Sequence, residues 1–139
     1  YLLGNYKIAV FVVTKSGKNM IQIKIKRVYD DPEPGDGYRV LVDRLWPRGI
    51  KKACLSYDEW AKEITPSPGL RTWFHDDISR HWEEFTSMYK EELEHSQAVK
   101  DFLSRIGTYP VVTLLYASKD PVHNHARILQ NYLETQLKK

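Results

Sequence analysis

Thiols and long apolar runs are what this sequence of 139 residues most lacks. Its single cysteine, Cys54, excludes an internal disulfide framework and any metal site built from cysteines alone, so a reducing, cytoplasmic location is the natural expectation. We predict that Cys54 is a small buried apolar residue, because no base stands beside it in the sequence to activate its thiol. The longest apolar run, residues 8–13, is about a third of the roughly 18–20 residues that span a bilayer, so no membrane partner is expected.

A net charge of one sign is also missing from most of the chain. The formal charge of +3 equals the three lysines of residues 1–19, a segment without acidic residues, so the remainder is neutral. A neutral body argues against nucleic-acid binding, because that affinity depends on the number of phosphates neutralised. The contents of 42% hydrophobic and 28% charged residues are ordinary for a globular protein, and the length suits one domain.

Residues 1–19 differ in pattern from the remainder of the chain. Their short apolar patch leads into a polar, lysine-containing stretch, and a regular alternation begins only after Met20. We interpret residues 1–19 as a leader foreign to the domain, either added to the natural protein or an upstream extension. A genuine extra strand and a targeting segment are the alternatives. A single α/β domain is therefore expected at residues 20–139.

Three segments have the pattern of β-strands. Isoleucines alternate with polar residues over 21–25, which predicts a half-buried strand, and residues 39–43 predict a second. Residues 110–117 are nearly all apolar, as is typical of a strand buried on both faces. Residues 56–64 fit either a short helix or an irregular strand.

Helices are predicted between and after these strands. One begins after Ser67, a second covers residues 77–95, and a third runs from a Ser96 cap to Gly107. Asp120 followed by proline predicts the cap of a last helix that ends near residue 137. Strands separated by helices favour the α/β class, as a small layered fold with a partly parallel sheet flanked by helices.

The junction between the last strand and the last helix, residues 116–125, is the best candidate site. Open α/β sheets bind ligands where a buried strand delivers a polar loop to a helix amino terminus, and the free N–H groups there favour an anion. The candidate ligand-binding residues are Ser118, Lys119, His123, Asn124 and His125, with Tyr116 as a wall. Capping by Asp120 and surface histidines would be the structural alternative. Two histidines two residues apart, with no third ligand, do not predict a metal site.

A second candidate segment is strongly basic. Residues 39–52 contain five basic residues against one acidic residue, and their candidates are Arg39, Asp43, Arg44, Trp46 and Arg48. Arginines near a strand end can bind a phosphate or a carboxylate through two parallel hydrogen bonds. They can equally pair with the acidic stretch at residues 76–94, which has seven acidic and two basic residues. Both interpretations stay open.

Three stretches carry a family resemblance: residues 35–49 (GDGYRVLVDRLWPRG), 65–74 (TPSPGLRTWF) and 113–126 (TLLYASKDPVHNHA). They resemble the domain of unknown function 488 family, in its YeaO-like branch, over about residues 20–137. The resemblance implies an intracellular α/β protein without implying a particular activity. Other branches of the family resemble Cys-x-Glu where this chain has Tyr116 to Ser118, and Cys-His-Arg where it has Asn124 to Ala126. Any thiol chemistry of those branches is therefore not expected here.

Two hypotheses for the function result. In the first, the protein binds a small anionic ligand, with or without weak catalysis, between the arginines of residues 39–48 and the junction. In the second, it is a non-catalytic interaction module for a protein or, less favoured, a nucleic acid. The sequence indicates no catalytic residue, cofactor or oligomeric state.

Overall fold

The structure is a computed structural model that describes residues 21–139, so the leader predicted at residues 1–19 lies outside the described residues. Four strands form one sheet in the order β1-β4-β2-β3, and every neighbouring pair is parallel. The strands are β1 (Gln22–Arg27), β2 (Tyr38–Leu41), β3 (Glu59–Trp60) and β4 (Val111–Tyr116), and the helices are α1 (Pro68–Asp76), α2 (Ile78–Glu94), α3 (Gln97–Ile106) and α4 (His125–Leu137). The predicted α/β class is confirmed.

β4 is the central strand, paired with β1 on one side and β2 on the other. It is buried along almost its whole length, as its apolar sequence predicted. In the register, Arg27 lies opposite Tyr116 and Leu41 lies opposite Leu115. The carboxyl ends of β1, β2 and β4 therefore meet at one edge of the sheet.

The main apolar core lies between the sheet and the helices. Phe85 and Tyr89 of α2 and Phe102 of α3 are fully buried in it, and Phe74 of α1 stacks on Phe85 with ring centroids 3.8 Å apart. A smaller cluster around Leu41 and Leu115 is covered mainly by residues of the loop between β2 and β3 and by Trp60 of β3. The loop that follows β2 is thus held against the sheet by apolar packing.

The start of α4 differs from the prediction. The helix begins at His125, five residues after Asp120, and its cap is Asn124, whose side chain accepts the N–H of Arg127 at 3.1 Å. Asp120 instead accepts the N–H groups of Val122 and His123, both at 2.9 Å, in a turn that precedes the helix. Aspartate and asparagine both stabilise turns and helix caps in this way, so the prediction that Asp120 caps the last helix was wrong.

The other helix starts agree with the sequence more closely. Ser96 caps α3 by accepting the N–H of Val99 at 3.3 Å, as predicted. Ser67 precedes α1, but its hydroxyl donates to Glu92 at 2.5 Å instead of capping the helix. The ambiguous residues 56–64 contain β3 and one 3₁₀ turn. Cys54 was predicted to be buried and is exposed, because it ends a short 3₁₀ turn on the surface.

A buried ionic cluster lies where the chain enters β2. Asp36 is almost fully buried and accepts hydrogen bonds from Lys26, from Arg39 and from the N–H of Glu33. Burial alone would raise the pKa of Asp36, but the Glu33 N–H and the charges of Lys26 and Arg39 hold it below the usual value. Glu33 also accepts from Lys26 at 2.7 Å. We refer to Lys26, Glu33, Asp36 and Arg39 as the Asp36 cluster.

Candidate functional site

A cavity of about 580 Å³ opens at the edge of the sheet where β2 and β4 end. Four parts of the chain enclose it: Tyr29 in the loop after β1, the loop after β2, the junction from β4 into α4, and helices α1 and α2. This is the place where open α/β sheets bind ligands, because strand carboxyl ends and helix amino termini meet there. Its lining includes Tyr29, Asp43, Arg44, Leu45, Trp46, Pro47, Arg48, Arg71, Phe74, His75, Ile78, Phe85, Ser118, Lys119, Asp120, His123, Asn124 and His125.

Nine of the eleven candidate residues named from the sequence line this one cavity. The basic loop contributes Asp43, Arg44, Trp46 and Arg48, and the junction contributes Ser118, Lys119, His123, Asn124 and His125. The two segments are separated by about seventy residues of sequence, and the pairing of β2 with β4 brings them together. From the sequence they are two candidates, and the structure joins them into one.

Arg39 and Tyr116 do not line the cavity. Arg39 is 5% exposed and binds inside the Asp36 cluster, with its Nε donating to the Ser56 carbonyl at 2.7 Å. It lies in the amino-terminal half of β2, whereas the cavity lies beyond the carboxyl end, so its predicted role in anion binding is corrected to a structural one. Its partner is Asp36 and not the acidic residues of α2. Tyr116 ends β4 with its ring in the main core.

Asp43 and His125 form the polar centre of the cavity. Asp43 Oδ2 accepts the N–H of Ala117 at 2.9 Å, and Asp43 Oδ1 lies 3.3 Å from His125 Nε2. The same Nε2 lies 2.5 Å from the Val42 carbonyl oxygen. Because carbonyl and carboxylate oxygens only accept, Nε2 carries the proton, which leaves Nδ1 of a neutral ring as an acceptor. Burial raises the pKa of Asp43, although the neighbouring His125 and the Ala117 N–H act in the opposite direction.

The sequence missed two basic residues of the cavity, Arg71 and His75, which lie on α1. Both are close enough to Asp43 to act on its pKa. Partial desolvation lowers the pKa of His75, and the positive charge of Arg71 lowers it further. From the sequence alone, His75 is expected to be an ordinary surface residue of a helix. Nothing in the local sequence of α1 indicates the cavity, because only the packing of α1 beside the ends of β2 and β4 creates it.

Arg27 does not line the cavity, but it binds the backbone of the junction. It ends β1, and its guanidinium donates to the carbonyls of Ser118 and Ala117, both at 3.0 Å. These bonds fix the first residues after β4 by their backbone. The Asp120 turn and the Asn124 cap fix the rest, so the junction is well positioned before any ligand is present.

Several cationic groups at the cavity have no hydrogen-bond or salt-bridge partner among residues 21–139. The Nε of Arg44 is buried and makes no hydrogen bond there, although its Nη2 donates to the Pro66 carbonyl at 3.3 Å. The side chains of Arg48, Arg71 and Lys119 form no hydrogen bond or salt bridge with the residues described. The cavity is therefore bordered by these four cationic side chains and by only two carboxylates of the described chain, those of Asp43 and Asp120.

Two further features bear on the classes of function. Within residues 21–139, no three histidine, cysteine, aspartate or glutamate side chains are grouped so that they could hold a metal ion. None of the helices in the described part is long and apolar enough to cross a bilayer.

Comparison with known proteins identifies the family. Residues 22–139 match the family described as "Inactive DUF488-N3 subclade". The chain belongs to the DUF488 family. It is 46% identical over 115 residues to "Uncharacterized protein YeaO" of Escherichia coli, a match that covers 83% of this chain and 99% of that protein. It is 40% identical over 112 residues to "Uncharacterized protein Rv3073c" of Mycobacterium tuberculosis, covering 81% of this chain and 93% of that protein. No solved structure matches.

Within this DUF488 chain, the two positions where other branches resemble cysteines have structural roles. Tyr116 packs in the main core, and Asn124 caps α4. Neither side chain offers a nucleophile to the cavity, since a buried phenol ring and a capping amide are both already engaged. The remaining matched residue, His125, keeps its place beside Asp43.

Proposed function

We propose that this DUF488 protein binds a small anion, a phosphate or a carboxylate, in the cavity at the ends of β2 and β4, without catalysing a reaction. The description of the matching subclade as inactive supports binding over catalysis. The tyrosine and asparagine at the positions discussed above support it as well, because they replace potential thiol nucleophiles by structural groups.

The observation that carries the proposal is the buried Nε of Arg44, which has no hydrogen-bond partner among residues 21–139. A buried donor that lacks a hydrogen bond costs about 1–3 kcal/mol, and more when it is charged, so proteins seldom keep one without a use. Arg44 lines the cavity, and a guanidinium is suited to bind phosphate or carboxylate oxygens through parallel hydrogen bonds. An anion in the cavity would supply the acceptor for which Arg44 Nε has no candidate in the described part of the chain.

The charges around Arg44 favour the same ligand. Arg48, Arg71 and Lys119 add positive charge, and none of them forms a salt bridge with a described carboxylate. Of the two acidic residues at the cavity, Asp120 is engaged in its turn and Asp43 accepts the Ala117 N–H. The amino terminus of α4 opens at the same place, and its dipole adds a contribution of about 0.3–1 kcal/mol for an exposed anion.

Titration calorimetry and thermal unfolding with inorganic phosphate, sulfate and acetate test the proposal. An anion present at about 100 times its Kd adds about 2.7 kcal/mol to the free energy of unfolding, which is a readily measured rise in Tm. We expect Arg44→Gln and Arg71→Gln each to weaken binding about tenfold or more, because a hydrogen bond to a charged group contributes about 1.5–3 kcal/mol.

Lys51→Gln is the matched control, since Lys51 loses the same charge from an exposed position that does not line the cavity. It should bind like the parent protein. Equal weakening by all three substitutions would indicate only a general charge effect and contradict a specific site. No binding of any of the anions would contradict the proposal itself, and leave the interaction module as the remaining hypothesis.

A further inference from the structure

Polarity is unevenly distributed in the cavity, and its inner end is basic. His125 Nε2 lies 3.3 Å from Asp43 Oδ1, and Arg71 and His75 line the same cavity and act on the pKa of Asp43. Arg44 directly follows Asp43 in the chain and lines the cavity as well. The centre of this end is sheltered, since the Asp43 side chain is 16% exposed and the Nε of Arg44 is buried, whereas His75 at its border is exposed.

The solvent-exposed part of the lining, the mouth of the cavity, carries large apolar side chains, beside the cationic Arg48 and Lys119. Leu45 is 61% exposed and Tyr29 is 45% exposed, and both line the cavity. Trp46 follows Leu45 in the loop after β2 and also lines the cavity. The polar atoms of the two rings are already engaged, because the Tyr29 hydroxyl donates to the Arg48 carbonyl at 2.9 Å and the Trp46 Nε1 donates to the Ile50 carbonyl at 2.5 Å. What these side chains offer a ligand is therefore apolar surface.

The size of the cavity also points beyond a bare ion. A volume of about 580 Å³ lies in the range of about 300–1,000 Å³ that is typical of sites for organic molecules. An inorganic phosphate is only a few times larger than a water molecule, whose share of liquid volume is about 30 Å³. Such an ion would leave most of the cavity, including its mouth, filled with water.

We propose that the ligand is an amphipathic organic anion, with its phosphate or carboxylate at the basic inner end and an apolar body against Tyr29, Leu45 and Trp46. This inference rests on the proposed function and specifies the ligand class of the same site. Burial of the apolar body at the mouth supplies affinity and selectivity that a bare ion lacks, a gain of about fourfold in Kd for each methylene-sized group removed from water.

Calorimetric titration with ligand pairs of equal charge tests this inference. Phenyl phosphate is compared with glycerol 3-phosphate, and phenylacetate with glycolate, so that each pair differs chiefly in the polarity of its body. We expect the apolar member of at least one pair to bind about tenfold more tightly or better. The pair that shows the preference identifies whether the natural head group resembles a phosphate or a carboxylate.

Leu45→Gln is the matching substitution in the protein, and Met88→Gln is its control. Both replace an exposed apolar side chain by a polar one, but Met88 lies on α2 and does not line the cavity. Leu45→Gln should weaken the binding of phenyl phosphate about threefold to tenfold and leave the affinity for glycerol 3-phosphate unchanged. Met88→Gln should change neither.

The outcomes separate this inference from the proposed function. If both members of each pair bind with equal affinity, the cavity is an anion site without an apolar preference, and only the amphipathic ligand is overturned. If inorganic phosphate and all four organic anions fail to bind, the proposed function and this inference fall together. A preference that Leu45→Gln leaves intact would also overturn the placement of the apolar body at the mouth.

Discussion

Two arginines five residues apart, Arg39 and Arg44, have opposite surroundings. Near the amino-terminal end of β2, the guanidinium of Arg39 donates hydrogen bonds to Asp36 and to the Ser56 carbonyl. That of Arg44, beyond the other end of β2, has a buried Nε that meets no acceptor in the part of the chain described. Residue type and position in a basic segment do not distinguish the two. Their hydrogen-bond partners do, and they separate a structural arginine from a candidate ligand-binding one.

The carboxylates near these arginines differ in the same way. Asp36 is buried among donors that outweigh the burial, so its pKa lies below the usual value. At Asp43 burial raises the pKa, because the neighbouring His125, the Ala117 N–H and the charges on α1 do not outweigh it. The charges of the Asp36 cluster therefore compensate one another, whereas the cavity around Asp43 is lined by more cationic side chains than described carboxylates.

The largest effect is expected from Arg39→Met, which breaks the Asp36 cluster. The substitution leaves a buried carboxylate short of a partner, so the free energy of unfolding should fall by about 3–5 kcal/mol. Urea denaturation followed by circular dichroism measures this. Arg80→Met, at an exposed arginine of α2, is the control and should stay within about 0.5 kcal/mol of the parent protein. A loss for Arg39→Met no larger than that of the control would show that the cluster contributes little.

Arg44→Met is expected to act in the opposite direction on stability. It removes a buried Nε that has no acceptor among the described residues, and loses only the 3.3 Å bond from Nη2 to the Pro66 carbonyl, so the free energy of unfolding should rise by roughly 0.5–1 kcal/mol in the absence of ligand. The same denaturation experiment measures it. A loss of more than about 2 kcal/mol would mean that the Arg44 side chain holds the fold together, and would remove the contrast with Arg39.

The smallest effect is a difference in pH dependence between the two aspartates. Because the pKa of Asp36 is lowered on folding, its contribution to stability is present above about pH 4 and is lost as the pH falls through its folded pKa. Because the pKa of Asp43 is raised, its contribution is present below about pH 4 and is lost as the pH rises through its folded pKa.

These signs give distinct expectations for two variants in denaturation experiments from pH 3 to pH 7. Asp36→Asn should lose stability less steeply than the parent protein on acidification below about pH 4. Asp43→Asn should lack the decrease that ionisation of Asp43 causes as the pH rises above about pH 4. Identical pH profiles for the two variants would contradict the opposite electrostatics of the two sites.

Much of the fold could be predicted from local patterns. Alternating isoleucines indicated β1, an apolar run indicated β4, and Ser96 indicated the start of α3. The predicted start of α4 was wrong because Asp120 and Asn124 are both residue types that cap helices. Only the structure shows that Asp120 stabilises a turn before the helix. Local sequence does not decide between two adequate caps.

The candidate site could be predicted in part for a topological reason. Parallel strands bring their carboxyl ends together, so residues that follow β2 and β4 were bound to be neighbours once the sheet was parallel. The same rule could have excluded Arg39, which lies near the beginning of its strand. Arg71 and His75 carried no such signal, because their approach to the cavity depends on how α1 packs against α2 and the sheet.

The bonds from Arg27 to the junction have a kinetic consequence. Arg27 is separated from Ser118 by 91 positions in the chain and from Ala117 by 90. The paired residues of β1 and β4 are separated by a similar length of chain. Contacts between such distant residues form late, because a long loop must close before they contribute. The cavity is therefore completed only when β1 and β4 have paired. A ligand that binds there selects the finished fold, and it should prolong the lifetime of the native state without accelerating its formation.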